Sequence, residues 1–122
     1  MAKIQSFKDL EIWQRSISLV EKIYGITRKF PKEETYGLIS QMRRAATSIP
    51  SNIAEGFARF YNTEYKQFLF ISLGSCAELT TQLIIAGKLG YLESEKSDVL
   101  LDEIEQISKM IMGLIKKLNL NN

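Results

Sequence analysis

Apolar residues return every three or four positions along most of this chain, the spacing of a helix that buries one face. Leu10, Trp13, Ile17, Val20 and Tyr24 form the first such stripe, within a helix expected over about 7–29. Ser6 precedes it as N-cap, with Asp9 three residues on in a capping-box arrangement. Phe30-Pro31 closes it, because the residue before a proline is forced out of helical geometry. Leu38, Met42, Ala45, Ile49 and Ile53 carry a second helix over about 34–57, with Gly56 as its candidate terminator. Pro50 falls inside that pattern, yet the periodicity resumes in phase beyond it, which predicts one helix kinked near Pro50 rather than two. Asn62 or Thr63 caps a third helix over about 63–88, whose Leu69, Leu73, Cys76, Thr80 and Leu83 share a face and whose end lies between Gly87 and Gly90. Ser94 caps the fourth, over about 94–118, with Leu100, Ile104, Ile107, Ile111, Leu114 and Leu118 as its stripe. Acidic residues crowd its first half and lysines its second, the order that suits the helix dipole. Short connections make consecutive helices antiparallel, so the expected architecture is an all-α, up-down-up-down four-helix bundle in a single domain over 1–122.

The two middle helices are poor in charge. Between Thr35 and Ala54 only Arg43 and Arg44 are charged; between Gln67 and Gly87 only Glu78 is. A bundle that stood alone would bury one stripe per helix and solvate the rest with charge. Two charge-poor neighbours point to a second burial against another subunit, the plainer alternative being that Ser, Thr, Ala and Gln face water. The stretch 67–87 is also apolar enough to raise a membrane reading, but Gln67, Ser72, Ser75, Thr80, Thr81 and Gln82 dilute it, and a soluble helix buried on most sides is the expectation.

At 100° per residue, Gln41, Arg44, Ser48, Asn52 and Glu55 fall within a strip roughly 80° wide beside the apolar face of the second helix. Arg43 points elsewhere, beside Thr47, Pro50 and Ala54. An arginine at the edge of a core needs a carboxylate, since an unpaired buried charge is costly. Glu55 lies too far along the helix for direct contact with Arg44, leaving a network through Ser48 and Asn52, or a bridge to Glu78 on the third helix. Gln41, Arg43, Arg44, Ser48, Asn52, Glu55 and Glu78 are therefore candidates for a structural polar network, or for a ligand site built on the same residues.

Composition narrows the chemistry. At 122 residues with 45% hydrophobic and 25% charged residues, the chain has the make-up of a soluble globular domain. Cys76 is alone, which excludes an intrachain disulfide and agrees with a cytoplasmic location; the N-terminal residues carry no apolar signal-like run. Histidine is absent, and with it go the commonest general base, the usual zinc and di-iron ligand sets and the Ser-His and Cys-His nucleophile pairs. No metal, cofactor or catalytic residue is expected. The net charge is only +2, but residues 1–66 hold 11 Lys/Arg against 7 Asp/Glu while residues 67–122 hold 5 against 7. Lys22, Arg28, Lys29 and Lys32, with Arg15 and Arg59, are the candidate nucleic-acid contacts, although Glu21, Glu33 and Glu34 sit close by.

The run Gln41-Met42-Arg43-Arg44-Ala45-Ala46-Thr47-Ser48-Ile49-Pro50-Ser51-Asn52-Ile53-Ala54-Glu55-Gly56 resembles the central motif of the 23S rRNA intervening-sequence protein family, also called four-helix bundle proteins. Phe7-Lys8-Asp9-Leu10 with Trp13 is similar to the family's opening. Phe30-Pro31 with Glu34, Tyr36, Gly37 and Leu38 is similar to its second element. Gly74-Ser75, Glu78-Leu79 and Gly90-Tyr91-Leu92 are similar to the third helix and its exit. The resemblance implies a bundle assembling into a ring-like homopentamer, and more distantly a likeness to the accessory protein of diversity-generating retroelements, which works with a reverse transcriptase and nucleic acid. Three functions follow for weighing: a non-catalytic oligomer that binds RNA or a nucleoprotein partner; a ring-forming adaptor between proteins with no nucleic-acid binding; and an enzyme, which would need Arg44, Asn52, Glu55 and Glu78 to converge on one pocket.

Overall fold

The computed structural model describes residues 3–120, in four helices: α1 (Glu11–Thr27), α2 (Leu38–Phe57), α3 (Asn62–Lys88) and α4 (Ser94–Leu120). They form an all-α four-helix bundle in which α1 packs on α2 and α4, and α3 packs on the same two. Cross-helix bonds give the directions: Arg15 reaches Gln106 while Lys22, further along α1, reaches the earlier Glu103. Ser72 and Ser75 likewise run backwards against Ile49 and Ser48.

The helix ends differ from the expected ones where local hydrogen bonding decides. Ser6 and Asp9 do form a capping box, but it closes a separate 3₁₀ turn, Phe7–Asp9, and α1 starts after the extended residue Leu10. Trp13 folds back onto this turn, its ring edge-on to Phe7 at 5.3 Å. The first helix ends at Thr27 rather than Lys29. Glu34 lies in a second 3₁₀ turn, Lys32–Glu34, not in the second helix. From there its Oε1 accepts the Leu38 N–H at 3.1 Å and so caps α2 from outside, while Oε2 accepts the Tyr91 hydroxyl at 3.1 Å. The latter bond, which the neutral phenol donates to the Glu34 carboxylate, raises the Tyr91 pKa. Neither Asn62 nor Thr63 caps α3; Tyr61 holds that position with no side-chain bond. The helix ends on Gly90 at φ +81°, where the Tyr91 N–H meets Ala86 C=O at 3.0 Å and the Gly90 N–H meets Gly87 C=O at 3.1 Å, a Schellman closure that a left-handed glycine permits.

In α2 the predicted stripe is the observed one: Leu38, Met42, Ala45, Ile49 and Ile53 are all buried, and α2 continues through Pro50 as one helix. Gly56 is a packing residue inside α2, not its terminator. A Cβ there would stand 2.9 Å from Tyr65 Cδ1, 3.0 Å from Phe68 Cβ and 3.1 Å from the Tyr65 carbonyl oxygen. In α1 the buried stripe is Ile12, Ser16, Leu19, Ile23 and Thr27, one position round from the predicted set. Ser16 and Thr27 tolerate full burial because each hydroxyl donates to the carbonyl four residues back, at 2.6 and 2.7 Å. Of the predicted α4 stripe only Leu114 is half-exposed, and Ile115 is buried in its stead.

The third helix departs most from expectation. It is long and apolar enough to cross a membrane, with a mean hydropathy of 1.6 over its best window, yet only 33% of that window is buried. Leu69, Ser72, Ser75, Cys76, Leu79, Leu83 and Ala86 face the core. Phe70, Ile71, Gly74, Ala77, Glu78, Thr81, Ile84 and Ile85 face outward, so the helix is buried on one side rather than most.

Candidate functional site

Small residues bring α2 and α3 together, and the polar residues of the central motif are distributed along that seam. Ser48 is its hub: its Oγ accepts from Asn52 Nδ2 at 2.9 Å and from Ser75 Oγ at 2.8 Å, while its carbonyl accepts Asn52 Nδ2 at 2.8 Å. One turn further on, the fully buried Ser72 donates to Ile49 C=O at 2.9 Å. Only Ser48 and Asn52 of the candidate network are joined in this way. Arg44 and Glu55 are exposed, and neither bonds to Ser48, Asn52 or a charged partner among the described residues. The wheel placed Arg44 at the margin of the core, but a margin residue with a long stem reaches water and needs no carboxylate.

Arg44 and Glu78 do share a cavity. With Gln41, Ser48, Ser75 and Gln82 they line a hollow of about 310 Å³ between α2 and α3, without an ion pair across it. Gln82 Oε1 is buried there and is the one buried side-chain polar atom without a partner among the described residues. Asn52 and Glu55 lie outside it, so the four residues that catalysis would need do not converge.

Arg43 is the anchored arginine of the pair. Its Nε donates to Thr27 Oγ1 at 3.0 Å, and its Cζ lies 4.4 Å from the centre of the Tyr24 ring. A buried hydroxyl and an aromatic face do the work expected of a carboxylate. Residue spacing predicts Tyr24 in the core stripe of α1 and Thr27 outside it, so neither is marked by the sequence as a partner for Arg43. The signal for Thr27 was its place in the Ile12–Ser16–Leu19–Ile23 series, hidden because two members are polar.

The candidate nucleic-acid contacts separate into two groups. Arg15 is bound within the bundle, Nη2 donating to Gln106 Oε1 at 2.6 Å and Nη1 to Met110 Sδ at 3.4 Å. Lys22 pairs with Glu103 at 2.7 Å, and Arg59 lies 4.7 Å from the centre of the Phe68 ring. Arg28, Lys29 and Lys32 are exposed at the end of α1 and in the turn after it. Lys22 and Lys29 flank a cleft of about 820 Å³ that also takes Lys96, Glu93 and Glu95 into its wall, a mixed rather than a basic surface. Cys76 is buried against α4, and burial pushes its thiol pKa up, with the Ser108 hydrogen bond opposing; this suits an inert core thiol.

Comparison with known proteins agrees with this architecture. A crystal structure of a protein with unknown function from the S23 ribosomal protein family of Bacteroides thetaiotaomicron superposes with a TM-score of 0.80 at 21% identity, covering 86% of this chain and 98% of that one. At that identity the likeness is one of fold. No curated protein matches the sequence. The family model of the 23S rRNA-intervening sequence protein matches residues 8–113, nearly the whole bundle and all of the Gln41–Gly56 motif, and the chain belongs to that family.

Proposed function

We propose that this protein is a non-catalytic, self-assembling bundle that forms a homo-oligomer through the outward face of α3, a ring of five being the arrangement its motif resemblance implies. The carrying observation is that face itself. Phe70, Ile71, Ile84 and Ile85 are 57, 50, 43 and 42% exposed, on a helix whose central stretch has Glu78 as its single charge. Ile71, Gly74, Glu78, Thr81 and Ile85 alternate three and four, a second stripe opposite the one that meets the core. Large apolar side chains exposed at both ends of one helix face, with a single charge between them, are the kind of surface that interfaces bury. The lack of histidine and the failure of Arg44, Asn52, Glu55 and Glu78 to share a pocket support the non-catalytic half. A cytoplasmic protein of this kind would keep Cys76 as a free thiol.

Light scattering at micromolar concentration is expected to give a multiple of 14.0 kDa. Ile71→Lys or Ile85→Lys is expected to reduce it to one subunit, while Met112→Lys, at an exposed position on α4, leaves it unchanged. A monomeric wild type overturns the proposal.

RNA binding is the second reading. It is favoured by the exposed cations Arg28, Lys29 and Lys32, none of them ion-paired among the described residues, and by the names of the family and of the structural relative, which refer to 23S rRNA and to a ribosomal protein. An adaptor role towards another protein is the outcome left if assembly is found and RNA binding is not.

A further inference from the structure

Between the end of α1 and the first half of α2 lies a pocket of about 400 Å³ that contains two arginines and no carboxylate. The Arg43 guanidinium forms one wall and is fixed from two directions, by its Nε bond to Thr27 and by the Tyr24 ring beneath it. Thr27 is itself completely buried and held by its bond to Ile23 C=O. The outer edge of the fork is left free: neither terminal nitrogen is bonded within the described residues, and neither is buried without a partner. Arg44 adds a second guanidinium from the next position. Tyr36 stands at the rim, 97% exposed, an aromatic ring that nothing among the described residues covers.

A pre-positioned fork beside a second arginine recognises an oxyanion, and phosphate matches it in a bidentate way. A bare anion gives Tyr36 no role, whereas a nucleobase stacks on such a ring. The volume is within the range of small-molecule sites. We propose that this pocket binds a nucleotide unit, its phosphate on Arg43 and Arg44 and its base on Tyr36. The proposal rests on the RNA reading above and moves its main contact from the lysine cluster at the end of α1 to a pocket on α2 whose own lining holds no carboxylate, Glu78 facing Arg44 only from the cavity towards α3.

The test is titration of the full chain with adenosine 5′-monophosphate, a single-stranded adenylate hexamer and inorganic phosphate, for the wild type and for Tyr36→Ala, Arg44→Gln, Arg43→Lys and the pair Arg28→Glu/Lys29→Glu. Thermal melting of each variant accompanies it; Tyr36 and Arg44 are exposed, so those two are expected to melt as the wild type does. Tyr36→Ala is expected to weaken nucleotide binding by about 5- to 150-fold and to leave phosphate binding unchanged. Arg44→Gln is expected to lower the salt slope of hexamer binding by about 0.7. Binding of the hexamer far above the mononucleotide identifies an RNA strand as the source; equal binding identifies a free nucleotide, which keeps this site and ends the RNA reading. Hexamer binding that survives Tyr36→Ala and Arg44→Gln but is lost in Arg28→Glu/Lys29→Glu overturns the site and leaves the RNA reading standing. No binding of any probe by the wild type overturns both.

Discussion

The seam between α2 and α3 and the seam between α1 and α4 are built from different materials. Along α2–α3 the contacts include Ala45, Gly56, Ser72 and Ser75, with hydroxyls bridging directly to Ile49 C=O and to Ser48. Along α1–α4 long side chains span the gap: Lys22 to Glu103, Arg15 to Gln106. The first seam is joined by hydroxyls, with no ion pair across it among the described residues; the second carries an ion pair towards solvent. Their outer surfaces follow suit, since the exposed side of α3 is apolar while exposed α4 is rich in Asp, Glu and Lys. The inward face of α3 carries Leu69, Leu79 and Leu83 beside its small residues and its isoleucines lie outward, where the proposed assembly would cover them with a second copy.

The contrast is breakable by substitution. Gly56→Ala carries the largest expected effect, a loss of about 2 kcal/mol in urea unfolding, because a backbone oxygen and a Cβ at 3.0–3.1 Å have no room to retreat. Gly74, on the same seam's outer side with nothing within 4 Å of a Cβ, is the control: Gly74→Ala is expected to stabilise the single subunit by about 1 kcal/mol through helix propensity. If both substitutions destabilise alike, the seam is not close-packed. Ser72→Ala is expected to cost about 1 kcal/mol, the net worth of its bond to Ile49 C=O. Across α1–α4, a double-mutant cycle on Lys22 and Glu103 is expected to give about 0.5 kcal/mol, falling with salt, since the Lys22 side chain is 49% exposed. A coupling above that of Ser72 would reverse the ranking of the two seams.

The smallest effect at neutral pH belongs to Tyr65, which packs against Gly56 and Phe57 and whose pKa burial pushes up to about 12. The unfolded chain loses this phenol proton near pH 10, while the folded chain keeps it. Stability from this group is therefore complete below pH 10 and is lost as pH rises towards 12. Tyr65→Phe is expected to flatten that part of the alkaline unfolding curve; an unchanged curve would place the Tyr65 ring in water.

Much of the fold was legible because apolar periodicity is local information. The α2 stripe from Leu38 to Ile53 is buried at every position, and α2 runs through Pro50 as one helix, as the in-phase periodicity predicts. The α1 stripe was misread for a physical reason: Trp13, Val20 and Tyr24 are more apolar than Ser16 and Thr27, but a hydroxyl that bonds to its own helix backbone buries readily, and the larger rings serve at the margin. The ends at Leu10 and Gly37 were missed because capping residues such as Glu34 act across a turn that the pattern does not encode.

By itself the sequence determined the number of helices, their order, the scarcity of charge in the middle pair and the absence of histidine chemistry, all of which follow from residue type and spacing. Only the tertiary structure decided which of two adjacent arginines is held and which is free. Arg43 and Arg44 differ by 100° of helix rotation, and that angle sets Arg43 on Thr27 and Tyr24 of α1 while it turns Arg44 outward. A partner supplied by another helix leaves no trace at the position it serves, which is why the paired site is a property of packing and not of the motif.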